Sequence, residues 1–340
     1  MRLAPLGFAI VGCGHIAQRH SLHAQKAGRL WGVCDIHRER VMTLAHERGC
    51  KPFMDYGQML KALQDRADVI AICTPNNLHC VQTIQAFEAG YHVLCEKPMA
   101  LTVHDCGEMI KAGERANRRL FIVKQNRYNP AIQHLRRLLD DGVLGRVYSV
   151  HLNCFWNRNA AYYRSSWKGT YIADGGTLFT QFSHFIDLLY WLIGDVSDVG
   201  AFMDNYCHQR CVEFEDSGVA ILRFHNGVIG TVSFSINSHD RNMEGSLTLL
   251  CERGTIKIGG QYLNIVEYEN IAGVESVSPP PGRSANDYGA YQGSMSNHAD
   301  VYANVQQVLT SSGKMDTLGL EGLKTIEIID KIYRAGAAKQ

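Results

Sequence analysis

An apolar run, Phe8-Ala9-Ile10-Val11, passes without a break into Gly12-Cys13-Gly14-His15-Ile16-Ala17, and the next apolar run, Leu30-Trp31-Gly32-Val33-Cys34, ends at Asp35. Glycine at 12 permits a tight strand-to-helix turn, glycine at 14 lets the backbone approach a pyrophosphate, and alanine at 17 keeps helix and strand close. The first amides of the helix then face the phosphates, so Gly12, Gly14, His15 and Ile16 are predicted to grip a dinucleotide. An acid at the end of the second strand accepts hydrogen bonds from both hydroxyls of an adenosine ribose and repels a 2′-phosphate, which makes Asp35 a selector of NAD over NADP. Arg38 and Arg40 nearby read as an exposed helix start. A nucleotide-free α/β turn can use the same glycines for geometry alone; the strand, the helix and the spaced acid together favour the dinucleotide.

Apolar runs alternate with helical patterns up to about residue 126. Leu6 to Val11, Leu30 to Cys34, Val69 to Cys73, His92 to Cys95 and Leu120 to Lys124 read as strands, with helices such as His79 to Ala89 and Val103 to Ala116 between them. This alternation predicts a parallel, doubly wound sheet with its ligands at the carboxyl ends of the strands. Two of those ends break at proline, Cys73-Thr74-Pro75-Asn76 and Cys95-Glu96-Lys97-Pro98, where the fixed backbone holds the preceding side chains at the sheet edge. Thr74, Pro75, Asn76, His79, Glu96, Lys97 and Gln125 are the further candidate cofactor contacts. A lysine at such a tip can hydrogen-bond a substrate hydroxyl and favour its developing negative charge; a solvated pair of Lys97 with Glu96 is the plainer alternative.

After residue 145 the pattern changes to longer alternating runs: Val147 to Trp156, Val219 to Phe224, Val228 to Ile236, Ser246 to Cys251 and Thr255 to Ile258, with Asn226-Gly227 and Arg253-Gly254 where hairpin turns belong. One strong helix is expected from 176 to 193, an exposed loop at Pro279-Pro280-Pro281-Gly282, and an amphipathic last helix from Leu318 to Arg334. The fold class is α/β: an N-terminal Rossmann doubly wound parallel sheet plus a C-terminal α+β domain with a large, mostly antiparallel sheet. The expected domains are 1–126 for the dinucleotide, 127–325 for substrate and oligomerisation, and 326–340 as a helix end and tail. At 340 residues two domains are the natural division, and a formal charge of +1 provides no electrostatic case for nucleic acid or an anionic membrane. The 11 cysteines show no disulfide framework, and most sit singly in apolar runs, as Cys34, Cys73, Cys95 and Cys154 do, which suits buried small hydrophobes in a reducing cytoplasm. Cys207-His208-Gln209-Arg210-Cys211 lacks a second matching pair, so no metal is expected. No apolar stretch is long enough to span a bilayer.

Within the expected helix, Thr180, Gln181, His184, Asp187 and Leu188 fall near one face, since positions three and four apart are neighbours. A histidine, with an intrinsic pKa near ~6.5, can take a hydroxyl proton at neutral pH. A core histidine bonded to Asp187 is the alternative.

Gly12-x-Gly14-x-x-Ala17, Glu96-Lys97-Pro98 and His184-x-x-Asp187 together resemble the glucose-fructose oxidoreductase, inositol dehydrogenase and rhizopine catabolism (Gfo/Idh/MocA) family over nearly the whole chain. That resemblance implies hydride transfer on a sugar or polyol, with catalytic Lys97 and His184 beside the nicotinamide, either of which can be the base. Lys124-Gln125-Asn126-Arg127-x-Asn129, Phe155-Trp156-x-Arg158, Tyr162-Tyr163, Trp167-x-Gly169, Asp174-Gly175-Gly176 and Gln181 resemble the WlbA/WbpB branch. The branch oxidises carbon 3 of a UDP-N-acetylglucosaminuronic acid for surface-polysaccharide synthesis and reoxidises its NADH with 2-oxoglutarate. The implied substrate contacts are Lys97, Asn126, Arg127, Arg158, Tyr163, Trp167, Lys168, Thr180, Gln181 and His184. Of these, Arg127, Arg158 and Lys168, with Arg164, suit a carboxylate or diphosphate, and Tyr163 or Trp167 suits a uracil or sugar face. Thr180 stands where the branch usually has asparagine, and Phe182 where it has a small residue. A homo-oligomer, dimer or tetramer, is implied. A free-sugar or inositol dehydrogenase and a non-catalytic NAD-sensing regulator are the competing expectations.

Overall fold

The computed structural model describes residues 5–164, 167–275, 279–287, 292–311 and 313–337; positions 338–340 of the expected tail lie outside the described residues. The chain forms two compact units, one from the chain up to Val123 with His298–Leu323, the other from Lys124–Asn297 with the chain from Lys324 onward. Unlike the contiguous division expected at 126 and 325, the first unit takes back a segment from near the end of the chain. Packing, not a local signal, encodes that return: the Tyr302 ring lies 5.5 Å from the Phe8 ring, and its hydroxyl lies 2.9 Å from Nδ1 of His20.

The first unit runs β1 (Leu6–Val11), α1 (His15–Ala27), β2 (Gly28–Cys34), α2 (Arg38–Arg48), β3 (Lys51–Phe53), α3 (Tyr56–Ala62), β4 (Val69–Ile72), α4 (His79–Glu88), β5 (His92–Cys95), α5 (Val103–Ala116) and β6 (Leu120–Ile122). All six strands are parallel, in the order β3-β2-β1-β4-β5-β6. This is the doubly wound order, which reverses between β1 and β4 and opens a crevice there at the strands' carboxyl ends. Every residue of β1 is buried, as expected of a strand covered on both faces. β3 escapes the sequence pattern because it is three residues long and holds Pro52, which an edge strand tolerates. β6 stops two residues short of its expected end. Asp55 caps α3 by accepting from the Gln58 amide at 2.7 Å, and Thr102 caps α5 by accepting from Asp105 at 3.0 Å, each worth about 1 kcal/mol. α1 has no side-chain cap.

The second unit contains α6 (Pro130–Asp140), β7 (Val147–Phe155), α7 (Ala160–Tyr163), α8 (Thr177–Thr180), α9 (Ser183–Ile193), β8 (Val196–Asp204), β9 (Ser217–Phe224), β10 (Ile229–Ser235), β11 (Glu244–Cys251), β12 (Gly254–Gly259), β13 (Ile265–Ile271) and the short pair β14 (Ala285–Asp287) and β15 (Gln292–Met295). α10 (His298–Thr310) belongs to the first unit, and α11 (Gly319–Ala337) ends the described chain. The large sheet has the order β13-β12-β11-β7-β10-β9-β8, antiparallel throughout except where β7 and β10 run parallel. Asn226-Gly227 turns the β9–β10 hairpin with Gly227 at φ +86°. Along β9, Ala220, Leu222 and Phe224 are buried while Val219 and Ile221 are exposed, the alternation of a sheet with one covered face. α9 supplies the cover: a Cβ at Gly245 of β11 would stand 2.7 Å from the Phe185 ring, so glycine there lets helix and sheet close. No helix among the described residues is long and apolar enough to cross a membrane.

The single helix expected over 176–193 is broken into α8 and α9. Phe182, at ψ 6°, leaves helical geometry while its ring enters a buried cluster with Trp156 at 5.3 Å, Phe185 at 5.9 Å and Phe234 at 6.3 Å. Burying a phenylalanine contributes about 1.5–3 kcal/mol, more than the continuity of one helical turn. Phe182 therefore faces the core, and Thr180 and Gln181 do not share the α9 face that carries His184 and Asp187.

Candidate active site

In the first unit the glycine turn is built as its residues predict. Gly12 adopts φ +90°, donates its amide to the Cys34 carbonyl at 2.8 Å, and lies so close to the β4 tip that a Cβ would fall 2.6 Å from the Cys73 carbonyl. Gly14 is extended, and a Cβ there would meet no atom within 4 Å. Open space above Gly14 and the uncapped amide end of α1 at His15 and Ile16 fit the pyrophosphate of a dinucleotide. Asp35 accepts from the Cys13 amide at 2.7 Å through Oδ2 and from the His37 amide at 2.8 Å through Oδ1. These contacts tie the β2 tip to the glycine turn and leave each oxygen a second lone pair for a ribose hydroxyl. Ile36, which the sequence reading passed over, is 81% exposed beside Asp35 and suits an adenine face; an apolar residue directly after the acid was the available signal. Burial pushes the Cys13 and Cys34 thiols up to about 12 and those of Cys73 and Cys95 well above the usual thiol range, so all four pack at the strand tips as neutral thiols.

Two expected cofactor contacts are drawn inward. The Thr74 hydroxyl donates to Oε1 of Gln82 at 2.6 Å. His79 has both ring nitrogens on backbone oxygens, Nδ1 with Pro98 at 2.7 Å and Nε2 with Thr74 at 2.9 Å, so it stitches the two proline-broken tips together instead of presenting a polar atom. Pro75 opens the short turn that carries buried Asn76. Lys97 is half-buried at its tip, but not in a solvated pair with Glu96: that carboxylate, 6% exposed, turns inward to His20 and His298. His20, Glu96 and His298 have a metal-like donor composition, yet Nε2 of His20 and Oε1 of Glu96 stand 2.8 Å apart in direct hydrogen-bond contact.

In the second unit the 3₁₀ turn Gln125–Tyr128 buries Gln125, Asn126 and Arg127. Oε1 of Gln125 and both amide atoms of Asn126, which is 1% exposed, have no hydrogen-bond partner among the described residues. Buried amides are ordinarily satisfied, so these atoms fit a polar ligand. Arg127, expected to meet a substrate anion, is instead held against Asp187 by two hydrogen bonds of 2.7 and 2.8 Å, with Lys124 joining at 3.1 Å. Burial alone would raise the Asp187 carboxyl; the two cations outweigh it and hold the group well below the usual range. Asp187 is thus engaged with cations one turn from His184, which is 2% exposed on α9.

Arg158 is also directed inward. Its Nε donates to Oε1 of Gln181 at 2.8 Å, Nη1 to Oδ1 of Asn242 at 3.1 Å and Nη2 to the Gln292 carbonyl at 3.3 Å. Gln181 in turn donates to the Tyr162 hydroxyl at 2.9 Å, and Thr180 donates to the Asp174 carboxylate. Both expected substrate contacts thus use these side-chain groups within the protein, as the helix break dictates. Tyr163 is buried edge-on against Tyr162 and His208 at 5.0 and 5.7 Å, which covers a ring expected to stack on a ligand. Its neighbour Tyr162 carries the cations: Lys168 lies 4.0 Å above its ring and Arg158 5.3 Å from it, with half-buried Trp167 5.8 Å from Lys168. A helix as short as α7 cannot be phased from sequence, so the choice between adjacent tyrosines was not legible. Burial pushes the Tyr162 phenol up to about 12, which keeps it a hydrogen-bond donor.

Residues 6–124 match the family model described as the oxidoreductase family, NAD-binding Rossmann fold, and residues 132–257 match the GFO/IDH/MocA C-terminal domain. The WlbA dehydrogenase of Bordetella pertussis, crystallised with NADH and UDP-GlcNAcA, is 34% identical, with a TM-score of 0.88 over 99% of this chain and 98% of that one. The WlbA enzyme of Chromobacterium violaceum, in complex with the same two ligands, is 32% identical with a TM-score of 0.89, covering 100% and 97%. D-apiose dehydrogenase of Paraburkholderia graminis is 26% identical over 96% of this chain and 86% of its own length.

Proposed function

This chain belongs to the Gfo/Idh/MocA family of NAD-dependent sugar oxidoreductases, and on that premise we propose that it oxidises carbon 3 of a UDP-N-acetylglucosaminuronic acid in the making of a surface-polysaccharide sugar. The observation that carries the substrate reading is Lys168, 4.0 Å above the Tyr162 ring and beside half-buried Trp167, a cation suited to a carboxylate or diphosphate next to aromatic faces suited to a sugar or base. The likeness to two enzymes crystallised with such a sugar supports it.

When bound, NAD supplies the hydride acceptor. Gly12, Gly14 and the amides of His15 and Ile16 hold its pyrophosphate, Asp35 its ribose, and Ile36 its adenine. Gln125 and Asn126 orient the sugar through their unsatisfied amides, since alignment supplies much of the rate. Lys97 donates to the reacting hydroxyl oxygen and offsets its developing charge, while His184 takes the proton; the exchanged roles remain the competing assignment. Asp187, held by Arg127 and Lys124, fixes the helix turn from which His184 projects. Reoxidation by 2-oxoglutarate and a homo-oligomer formed through the open face of the large sheet complete the reading.

A free-sugar or inositol dehydrogenase is favoured by one observation: Arg127 and Arg158, two of the expected anion contacts, bond within the protein. Purified protein offered NAD with UDP-N-acetylglucosaminuronic acid or myo-inositol, with nicotinamide absorbance followed, separates the two. Turnover of the UDP-sugar is expected, and turnover of inositol alone overturns the first reading. Lys97→Met and His184→Ala should each lower kcat by roughly 10²–10⁴; full function of both variants in the cell would leave an NAD-sensing regulator.

A further inference from the structure

We propose that His20, Glu96 and His298 form a positioning device that fixes the backbone of Lys97, an inference that rests on the reading of Lys97 as a residue acting on the substrate. All four residues lie in the first unit, and the three of the cluster come from α1, the β5 tip and the first turn of α10. Nε2 of His20 contacts Oε1 of Glu96 at 2.8 Å, and Nε2 of His298 reaches the same oxygen at 3.4 Å. The other carboxylate oxygen, Oε2, accepts from the backbone amide of Lys97 at 3.0 Å. The outer end of the chain is closed by Tyr302, whose hydroxyl lies 2.9 Å from Nδ1 of His20.

The proton placements follow from this network. With each Nε2–H donating to Glu96, Nδ1 of His20 is left to accept from the Tyr302 hydroxyl. Burial alone would raise the Glu96 carboxyl, but the hydrogen bonds from His20 and His298 outweigh it and hold the group well below the usual range. An ionised carboxylate in this place is expensive where an apolar side chain of the same size would fill the space. Two features show what the charge is for. One carboxylate oxygen is given wholly to the two imidazoles, which leaves the other aimed at a single backbone N–H, that of Lys97. His298 also leaves Nδ1 buried with no hydrogen-bond partner among the described residues, so its ring is set for the Glu96 contact at the expense of satisfying both nitrogens. Ordinary core packing rewards neither arrangement. Both follow if the Cα of Lys97 must be held to a fraction of an ångström, because a misplacement of about 1 Å at a reacting group can cost ~10² in rate.

The test uses His298→Leu and the isosteric Glu96→Gln in the full chain with NAD bound. Two readouts are taken: hydrogen exchange at the Lys97 amide, and kcat with the sugar that the wild type turns over, UDP-N-acetylglucosaminuronic acid or myo-inositol. In Glu96→Gln the side-chain amide either turns its NH₂ toward the Lys97 N–H and loses that contact, or turns it toward the imidazoles, which must then take the tautomer with Nε2 as acceptor; in both cases the charged acceptor for the Lys97 N–H is gone. Both variants should exchange the Lys97 amide at least about tenfold faster and lose about tenfold in kcat, with KM for NAD unchanged. His298→Gln, whose amide nitrogen reaches the place of Nε2, should restore both readouts. If either readout stays at the wild-type level in a folded variant, the proposal fails; Glu96→Gln keeps the side chain's shape and decides the matter should His298→Leu not fold. The underlying reading fails separately: it falls if Lys97→Met keeps wild-type turnover, whatever the exchange measurements show.

Discussion

Gly12 and Gly14 sit two residues apart in one turn, yet alanine at each is expected to fail in a different way. Gly12 has φ +90°, and its Cβ would fall 2.6 Å from the carbonyl carbon and oxygen of Cys73 and 2.8 Å from the Thr74 nitrogen. Those atoms are backbone at the end of a central strand, so relief requires moving β4 from β1. The unfavourable backbone conformation costs about 1–3 kcal/mol and the overpacking another ~1–3 kcal/mol. At about 2–4 °C per kcal/mol for a unit of this size, Gly12→Ala should lower the Tm of the nucleotide-free protein by roughly 10 °C. Gly14 has φ −76°, with no atom within 4 Å of its Cβ, so Gly14→Ala should leave that Tm within about 2 °C. With NAD bound as proposed, however, the added methyl would stand where the pyrophosphate approaches the backbone. A steric cost of about 1–3 kcal/mol corresponds to a roughly 5- to 150-fold weaker Kd. Thermal unfolding without nucleotide and calorimetric titration with NAD measure the two effects independently. A Gly14→Ala protein with wild-type Kd would refute the open cradle, and a Gly12→Ala protein with wild-type Tm would refute the argument from strain.

Asp187→Asn removes the charge that balances Arg127 and Lys124 in a buried site and should destabilise the protein by roughly 3–5 kcal/mol in denaturant titrations; a loss below about 1 kcal/mol would show those cations to be satisfied otherwise. Burial pushes the Glu215 carboxyl up to about 7, against the hydrogen bonds donated by Tyr333 at 2.6 Å and the Thr177 amide at 3.1 Å. The folded state therefore holds the extra proton between the ordinary carboxyl range and about 7, and the stability associated with Glu215 falls as pH rises through that window. Glu215→Gln should flatten that slope in Tm measured against pH, and an unchanged slope would remove Glu215 from the account. On the exposed sheet face, Ile221→Lys combined with Phe202→Lys places charge where a second copy is proposed to pack. Light scattering should then report a smaller species, and an unchanged mass would move the interface elsewhere.

What was legible in the sequence was local. The glycine turn, the acid at Asp35 and the two proline-broken tips are written in consecutive residues, and the strand pattern of the first unit follows from full burial on both faces. What was not legible depends on partners far along the chain. Arg127 reads as a cation for a ligand until Asp187, 60 residues on, takes it. Phe182 reads as part of a continuous helix until Trp156 and Phe234 draw its ring out of register. Glu96 reads as a surface partner for Lys97 until α10 brings His298 beneath the tip from 202 residues away. Each of these is a contest between a weak local preference and a stronger tertiary contact, and the chain's own periodicity carries no trace of the winner.

The return of α10 to the first unit sets a timetable for synthesis. His20 and Tyr302 are separated by 282 residues, so at about 5–20 residues per second the first strand and helix wait roughly 15–60 s on the ribosome for the ring that covers them. During that interval the nucleotide-gripping half exists with an apolar flank uncovered, long enough for chaperones or a misplaced neighbour to engage it. A message truncated anywhere before the codons of α10 yields a chain that possesses every glycine of the turn and still lacks the ring that completes the unit.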